Sequence, residues 1–233
     1  MPQTTWEPGP PTPSLTAGVV DVWCADLASG GEPEGALLSE HERERAARYV
    51  RTEDGVRWGR ARGIVRALLA RYAAAEPSAL RFAEGLHGKP RLAGEAEQGA
   101  AGTADRLRFN LSHSGDVLLV AVTLDREVGV DVELPRRATD HVAIARRILG
   151  DEEAERLQAL DEPEREREFL RAWVRWEAVL KCHGVGIGGA DTTPVGPEPW
   201  ITELQLDPPA AAALAVERGP CTVRCWQWSA AGG

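Results

Sequence analysis

The pentapeptide at residues 129–133 reads Gly-Val-Asp-Val-Glu and alternates apolar with acidic side chains. This alternation predicts a β-strand, in which residues two positions apart point to the same face. Asp131 and Glu133 would therefore lie side by side. Neighbouring carboxylates raise each other's pKa and resist burial unless a cation lies between them. The strand therefore either turns its acidic face to water, as an edge strand does, or holds a cation there.

A second stretch, residues 173–187, supplies a third carboxylate. Glu177 and Lys181 are four positions apart on a predicted helix, so they share one face with Trp173. Taken alone, the pair would be an exposed salt bridge worth about 0.3 to 0.5 kcal/mol. Hard oxygen ligands suit Mg²⁺, which is usually held by a few carboxylates together with substrate phosphate. The acidic strand and this helix together favour a magnesium site.

A third stretch, residues 109–115, reads Phe-Asn-Leu-Ser-His-Ser-Gly and lies between two predicted strands, 107–111 and 117–124. A lone histidine is more often a structural residue than a catalyst. The hydroxyl-rich turn around His113, close to the acidic strand, favours a functional role. A Ser-His hydrolase is a competing interpretation, but the chain has no Gly-x-Ser-x-Gly motif.

Four blocks in this order carry a family resemblance. They are Gly-Lys-Pro at 88–90, Asn-x-Ser-His-Ser at 110–114, Gly-x-Asp-x-Glu at 129–133 and Trp-x-x-x-Glu-Ala-x-x-Lys-x-x-Gly-x-Gly at 173–186. Together they resemble the Sfp-type 4′-phosphopantetheinyl transferases, enzymes that move the phosphopantetheine arm of coenzyme A to a serine of a carrier protein. Each block is weak alone, whereas four in register are specific.

The resemblance implies an α+β fold, a pseudo-dimer of two similar α+β lobes with the active site at their interface. The predicted boundary lies near Asp125, giving an N-terminal lobe of residues 1–124 and a C-terminal lobe of residues 125–233. Residues 1–17 are proline-rich and predict a flexible lead-in. The order of strand, helices and strands recurs in the two halves, in agreement with two related lobes.

The resemblance also implies roles for individual residues. The carrier serine would attack the β-phosphate of coenzyme A and expel adenosine 3′,5′-bisphosphate, while a metal and cations neutralise the developing charge. Either Glu177 or a Mg²⁺-bound water would accept the serine proton. The implied metal ligands are Asp131, Glu133 and Glu177, the catalytic residues are Glu177, Lys181 and His113, and the coenzyme A contacts are Arg45, Arg57, Lys89, Ser112, His113 and Lys181.

An arginine-rich segment between residues 43 and 72 contains nine arginines and only three acidic residues. Most of these arginines are expected on a solvated helix face. Arginine also makes bidentate phosphate contacts, so the segment suits the 3′-phosphate of coenzyme A. By resemblance the matching residues are Arg45 and Arg57, with Arg48 a weaker match. Glu42 stands where relatives often carry a lysine.

Trp176 departs from the family pattern, because many relatives carry lysine immediately before the helix glutamate. This departure keeps a second hypothesis open, a non-catalytic relative that binds coenzyme A or carrier protein. A third hypothesis, another Mg²⁺-dependent phosphoryl-transfer enzyme, is weakened because the chain has no P-loop. A Gly-x-Gly-x-x-Gly match at 184–189 follows a predicted helix instead of a strand, which argues against dinucleotide binding.

The charge and composition limit the partners. The 233-residue chain carries a formal charge of −9, which argues against binding nucleic acid or an anionic membrane. No apolar run reaches the roughly 18 to 20 residues of a membrane span, and no signal-peptide pattern is present. We therefore expect a cytoplasmic protein with free cysteines. By resemblance we expect a monomer that serves apo acyl or peptidyl carrier proteins of secondary metabolism, such as polyketide or nonribosomal peptide synthesis.

Local signals predict several helix ends. Ser39 with Glu42 forms a capping-box pattern at the start of one helix, and Asp54 is the predicted cap of the next. Pro163 is predicted to open the long helix, and Gly184 to close it. Strands are predicted at 19–24, 80–83, 200–206, 212–216 and 222–228.

Overall fold

A computed structural model describes residues 4–29, 36–85, 88–93, 103–135, 140–185, 197–207 and 209–230. The described strands form two main sheets and a separate two-stranded antiparallel pair of residues 82–84 with 90–92, and helices pack against the main sheets. The helices are α1 (Glu40–Ala47), α2 (Thr52–Ala73), α3 (Thr103–Arg106), α4 (His141–Ile148), α5 (Asp151–Gln158) and α6 (Glu162–His183). The strands are β1 (Trp6–Pro8), β2 (Val19–Asp26), β3 (Phe82–Glu84), β4 (Pro90–Leu92), β5 (Leu107–Ser114), β6 (Val117–Leu124), β7 (Val128–Glu133), β8 (Trp200–Glu203), β9 (Ala211–Val216) and β10 (Thr222–Gln227).

The larger sheet has five strands in the order β1-β10-β2-β6-β5. β2, β6 and β5 pair antiparallel, whereas β10 pairs in parallel with β2 and brings the end of the chain back to its beginning. Helix α2 buries its apolar side against this sheet, where Val65 and Leu68 join Trp23, Phe109 and Val120 in one core. Their burial supplies the main driving force for this half.

The smaller sheet has three antiparallel strands in the order β7-β9-β8. One of its faces packs Val130 and Leu214 against Val20, Val22 and Leu119 of the larger sheet. Its other face is covered by α6. The alternation along β7 therefore places the valines in the core between the sheets and turns Asp131 and Glu133 toward the opposite side.

Helix α6 crosses β7 at Gly129 with backbone against backbone. A Cβ atom at Gly129 would lie 2.0 Å from the carbonyl oxygen of Ala178 and 2.4 Å from the amide nitrogen of Cys182. Only glycine permits this approach, because both obstructing atoms belong to the main chain. The glycine of the acidic strand thereby sets how close the helix carrying Glu177 and Lys181 lies to the strand.

The predicted fold class, α+β, is confirmed. The capping box is also confirmed: the Ser39 hydroxyl accepts from the Glu42 amide, and the Glu42 carboxylate accepts from the Ser39 amide. Gly184 ends α6 in the left-handed conformation with φ of 67°. The predicted Asp54 cap is wrong, because α2 begins at Thr52 and Asp54 instead pairs with Arg57 at 3.5 Å.

The lobe boundary near Asp125 and the flexible lead-in stay predictions. Within that lead-in, Trp6–Pro8 pairs in parallel with β10. All four cysteines are free thiols, as expected. Among the described helices, none combines the length and apolar character that crossing a bilayer requires.

The arginine-rich segment is not a uniformly solvated face. Glu42 is only 6% exposed and holds Arg62 at 2.5 Å and Arg66 at 2.7 Å. Burial alone would raise the pKa of Glu42, but the hydrogen bonds from Arg66, the Ser39 amide and Arg62 outweigh it and lower the pKa to about 2. Glu42 therefore organises the fold: it ties the start of α1 to the middle of α2.

Candidate active site

The edge strands of the two sheets, β5 and β7, are joined by side chains. The Ser112 hydroxyl donates to Asp131 Oδ1 at 2.7 Å, and the Ser114 hydroxyl donates to Glu133 Oε2 at 2.8 Å. Side chains two positions apart on a strand point to the same face, so Ser112 and Ser114 of β5 together face the two carboxylates of β7. The hydroxyl-rich motif and the acidic strand thus form one surface.

Asn110 sets the register between these strands. Its side-chain oxygen accepts a 3.0 Å hydrogen bond from the amide of Val130. The side chain is buried and takes the place of a backbone carbonyl of a neighbouring strand. Because β7 is an edge strand, this bond satisfies an amide that would otherwise have no partner in the sheet.

Lys181 brings α6 into the same cluster. Its ammonium donates to Asp131 Oδ1 at 2.5 Å and to the Ser112 hydroxyl at 2.9 Å, and it lies 3.7 Å from Glu177 Oε2. Glu177 and Lys181, which taken alone would be an exposed salt bridge, thus belong to a larger network. One ammonium links the helix to both strands.

Asp131 is only 1% exposed, and its second oxygen, Oδ2, is buried and has no hydrogen-bond partner among the described residues. A buried acceptor without a partner typically costs about 1 to 3 kcal/mol, and more when it is charged. Such an atom commonly marks a place where a ligand or ion completes the structure. Oδ2 is thus a free binding position in a site whose other contacts are made by protein.

The surroundings of Glu177 contain more negative than positive charge. It is 6% exposed, and burial followed by the charge of Asp131 raises its pKa to about 7. Glu133 raises the pKa further, whereas Lys181 and a hydrogen bond from Trp173 oppose the shift. The three carboxylates therefore interact, and a single ammonium does not compensate them fully.

The three carboxylates can be tested as a metal site. Within the described residues, no group of three or more acidic, histidine or cysteine side chains stands ready to hold a metal ion. The donor set nevertheless fits a hard divalent cation, and Asp131 Oδ2 offers an oxygen to which none of the described protein groups bonds. Lys181 lies between Asp131 and Glu177, so a cation would share or replace its ammonium there.

His113 stands at the exposed rim of the cluster, next to Ser112. Partial burial of its ring, followed by the charges of Lys181 and Arg57, lowers the pKa of its imidazole. The ring is therefore neutral at physiological pH and offers one N–H donor. Arg57 reaches this rim from α2 and donates from Nε to Asp116 Oδ1 at 2.9 Å.

Two predicted coenzyme A contacts lie in other surroundings. Arg45 pairs with Glu84 at 3.3 Å, and its guanidinium lies 5.2 Å from the centroid of the Trp58 ring. The Lys89 ammonium donates to Glu127 Oε2 at 2.6 Å and to the carbonyls of Val128 and Cys182. The structure thus gathers Ser112, His113, Asp131, Glu133, Glu177 and Lys181, with Arg57 at the rim.

Sequence reasoning assigned no role to Ser114, Asn110 or Trp173. The sequence does contain a signal for Ser114 and Asn110. The polar residues 110, 112 and 114 alternate along β5 as Asp131 and Glu133 do along β7, which places them on one face of the strand. Trp173 lies one turn before Glu177 on α6, and its indole opposes the rise in the pKa of that carboxylate. The spacing places both on one face, but it does not show that the indole N–H is used.

Comparison with known families matches both halves of the chain. A model described as the 4′-phosphopantetheinyl transferase superfamily matches residues 127–228, and one described as 4′-phosphopantetheinyl transferase, N-terminal, matches residues 33–125. The chain is 34% identical to the 4′-phosphopantetheinyl transferase HetI of Nostoc sp. over 235 residues, covering 93% of this chain and 95% of the relative.

Two further relatives share parts of the chain. The first is a putative 4′-phosphopantetheinyl transferase of Synechocystis sp., 34% identical over 158 residues, which covers 66% of this chain and 60% of the relative. The second is the human L-aminoadipate-semialdehyde dehydrogenase-phosphopantetheinyl transferase, 27% identical over 157 residues, which covers 65% of this chain and 50% of the relative.

Proposed function

Because the chain belongs to the 4′-phosphopantetheinyl transferase superfamily, we propose that it transfers the 4′-phosphopantetheine arm of coenzyme A to a serine of an apo carrier protein. Adenosine 3′,5′-bisphosphate is the leaving product. The observation that supports this reaction best is the meeting of Asp131, Glu177 and Lys181 where β5, β7 and α6 converge. Phosphoryl transfer needs such a concentration of carboxylates and cations around an anionic group.

Asp131, Glu133 and Glu177 are the proposed ligands of a Mg²⁺ ion. The unpartnered Oδ2 of Asp131 and the raised pKa of Glu177 support this assignment. When bound, the ion would neutralise charge on the pyrophosphate of coenzyme A. Ser112 and Ser114 orient the two strand carboxylates, as partners of metal ligands commonly do.

Lys181 and His113 are the proposed phosphate contacts. The Lys181 ammonium has a flexible stem and carries the only positive charge inside the carboxylate cluster that the described residues show. It would stabilise negative charge that develops on the transferred phosphoryl group. His113, neutral because its pKa is lowered, would donate one hydrogen bond from the rim without adding charge.

Glu177 is the proposed acceptor of the serine proton. A general base works best when its pKa lies near the operating pH, and the pKa of Glu177 is raised to about 7. Both of its proposed roles, metal ligand and base, require the ionised carboxylate. Cation binding would favour that form and lower the pKa again.

The 3′-phosphate of coenzyme A is assigned to Arg57 and Arg45. Arg57 supports this assignment by its place at the rim beside His113, and Arg45 by a side chain that is 53% exposed. Each already pairs with a carboxylate, Asp116 or Glu84, so binding a phosphate would exchange one anionic partner for another. Lys89 stays a predicted phosphate contact by resemblance.

A second candidate is a non-catalytic relative that binds coenzyme A or carrier protein. Trp176 favours it: this residue precedes Glu177 and packs against Trp173 with ring centroids 5.3 Å apart. An indole supplies neither charge nor proton transfer to phosphate. For the transferase, we expect a carrier of acyl or peptidyl type. We further propose that the protein is a cytoplasmic monomer.

Intact mass spectrometry tests the proposal directly. An apo carrier protein is incubated with the purified chain, coenzyme A and Mg²⁺, and EDTA is added to a parallel sample. We expect the carrier to gain one phosphopantetheine arm, and the gain to disappear with EDTA. The Glu177→Gln variant should lose the reaction, whereas Glu164→Gln, an exposed residue at the start of the same helix, should retain it.

The contrary result is equally specific. If several acyl and peptidyl carriers gain nothing while the protein still binds coenzyme A, the proposal fails in favour of the binding relative. Trp176→Lys is then the first variant to assay, because it restores the residue that many relatives carry.

A further inference from the structure

Lys89 is held on three sides by protein. Its ammonium lies 2.6 Å from Glu127 Oε2, 3.0 Å from the carbonyl of Val128 and 3.2 Å from the carbonyl of Cys182. An ammonium has three donors, so these three bonds saturate it. The side chain is 15% exposed, which leaves little of it accessible to a ligand.

The two carbonyl acceptors belong to the two elements that carry the active site, and Glu127 immediately precedes one of them. Val128 is the first residue of β7, three positions before Asp131, and Cys182 follows Lys181 in the last turn of α6. Carbonyls in the last turn of a helix have no partner within the helix. Lys89 supplies one to Cys182, and its positive charge is favourable at the helix C-terminus.

Glu127 is tied to the same junction by further bonds. Its other carboxylate oxygen, Oε1, lies 3.3 Å from Arg108 Nε, and its backbone carbonyl accepts from the Cys182 thiol at 3.4 Å. Its amide and carbonyl also bond to Glu217 at the end of β9. Glu127 is thus fixed independently of Lys89, which makes it a suitable anchor for that side chain.

The junction lies beside the close contact between α6 and β7. Gly129 lets the backbones of the two elements touch. Lys89 bonds to the carbonyl of Val128, the residue before Gly129 on β7, and to the carbonyl of Cys182, whose amide lies against Gly129. Any separation of α6 from β7 at this end would lengthen the 2.5 Å bond between Lys181 and Asp131. The bonds made by Lys89 and the geometry of the carboxylate cluster are therefore mechanically connected.

We propose that Lys89 and Glu127 are positioning residues, a strut that holds the end of α6 against β7 and thereby sets the geometry between Lys181 and Asp131. For its effect on catalysis this inference rests on the proposed function. This role is an alternative to the phosphate contact that the family resemblance predicts for Lys89. A phosphate-binding Lys89 would act differently, because it would need to leave Glu127 and both carbonyls to reach the substrate.

Three variants separate the two roles. Lys89→Met removes the ammonium and keeps a linear side chain, Glu127→Leu removes the anchor, and the third variant combines both. Arg91→Met is the matched control, because it removes an exposed cation two positions further along the chain, in β4. The measurements are amide hydrogen exchange at residues 180–184, coenzyme A binding by calorimetry, and kcat and KM of the folded protein.

A strut predicts that both single variants exchange faster at residues 180–184 by on the order of tenfold, with coenzyme A affinity changed less than about twofold. kcat should fall in both with little change in KM for coenzyme A, and the double variant should lose no more than the single ones, because the two residues act as one unit. Arg91→Met should change none of these quantities.

A phosphate ligand predicts the opposite pattern, and that pattern would overturn the inference. Lys89→Met would weaken coenzyme A binding about tenfold or more with unchanged exchange at 180–184, while Glu127→Leu, which frees the ammonium, would leave binding intact. If Lys89→Met does not fold, Glu127→Leu decides between the roles by itself, since its carboxylate is 42% exposed. Hydrogen exchange needs no activity. If the wild type transfers no arm, the proposed function fails, but faster exchange in Lys89→Met and Glu127→Leu than in the wild type still supports the strut.

Discussion

The Lys181 ammonium lies 2.5 Å from Oδ1 of Asp131, an aspartate that is only 1% exposed. Fifty positions separate the two residues in the chain, and their contact joins the end of α6 to the acidic strand. The same Asp131 oxygen accepts from Ser112, so one atom connects three elements. This pair is the centre of the candidate site. Because its two residues join β7 to α6 as well as lining the site, both the free energy of unfolding and the proposed activity should depend on them.

Removing the ammonium should therefore destabilise the fold as well as abolish activity. Lys181→Met leaves Asp131 as a buried charge with one hydroxyl partner, which we expect to cost about 2 to 4 kcal/mol in the free energy of unfolding at pH 7. Asp131→Asn combined with Lys181→Met should cost less than Lys181→Met alone, since the buried aspartate charge is removed together with its cation. Urea unfolding of both variants checks this, and a double variant less stable than the single one would refute it.

Gly129→Ala should separate α6 from β7. The new methyl group would lie 2.0 Å from a backbone carbonyl oxygen, a clash that the helix relieves only by moving away. We expect a loss of about 3 kcal/mol in the free energy of unfolding and a loss of arm transfer. Gly85→Ala is the control, because the nearest atom to its Cβ would be 3.5 Å away. Equal stability of the two variants in chemical denaturation would contradict the proposed crossing.

Glu42 should make the stability of the protein depend on acid pH. Its pKa is lowered from 4.5 to about 2 in the folded protein, so its contribution is complete above the unfolded value and is lost as the pH falls from about 4.5 through 2. Glu42→Gln should therefore cost on the order of 3 kcal/mol at pH 7, and the difference from wild type should shrink below about pH 4. Unfolding measurements at pH 7, 5 and 3 would show it.

The exposed Glu40, in the first turn of the same helix, gives the control for that series. Glu40→Gln should change stability by less than about 0.5 kcal/mol at every pH, as surface substitutions usually do. A Glu42 effect that stays constant from pH 7 to pH 3 would mean that its ion pairs with Arg62 and Arg66 do not contribute through ionisation.

Mg²⁺ should stabilise the folded chain through the carboxylate cluster. At about ten times its dissociation constant, a bound ion adds about 1.4 kcal/mol, which corresponds to roughly 3 to 6 °C in the melting temperature of a chain of this size. Asp131→Asn and Glu133→Gln should abolish the shift. Asp151→Asn, whose side chain is 82% exposed, should keep it. An unchanged shift in Asp131→Asn would remove that residue from the proposed ligand set.

The sequence by itself determined the local elements and the chemical types of the site. Alternation in residues 129–133 predicted β7 with both carboxylates on one face, and the helical spacing of Glu177 and Lys181 predicted their shared face on α6. The caps at Ser39 and Gly184 were predicted for the same reason, since short-range hydrogen bonds and backbone geometry fix them. Even Asp54, wrongly predicted as a cap, was wrong by only three positions.

The tertiary structure decided which charges meet. Arginines that looked alike in the sequence differ in the fold: Arg66 is buried on Glu42, whereas Arg57 reaches the rim beside His113. Lys89, which immediately precedes β4, bonds to Glu127 and two carbonyls because the chain passes the end of α6 there, and its bond to Cys182 joins residues 93 positions apart. Charge is readable in a sequence, but its partner is set by which backbones approach each other, and here that depends on the packing of α6 across β7 at Gly129.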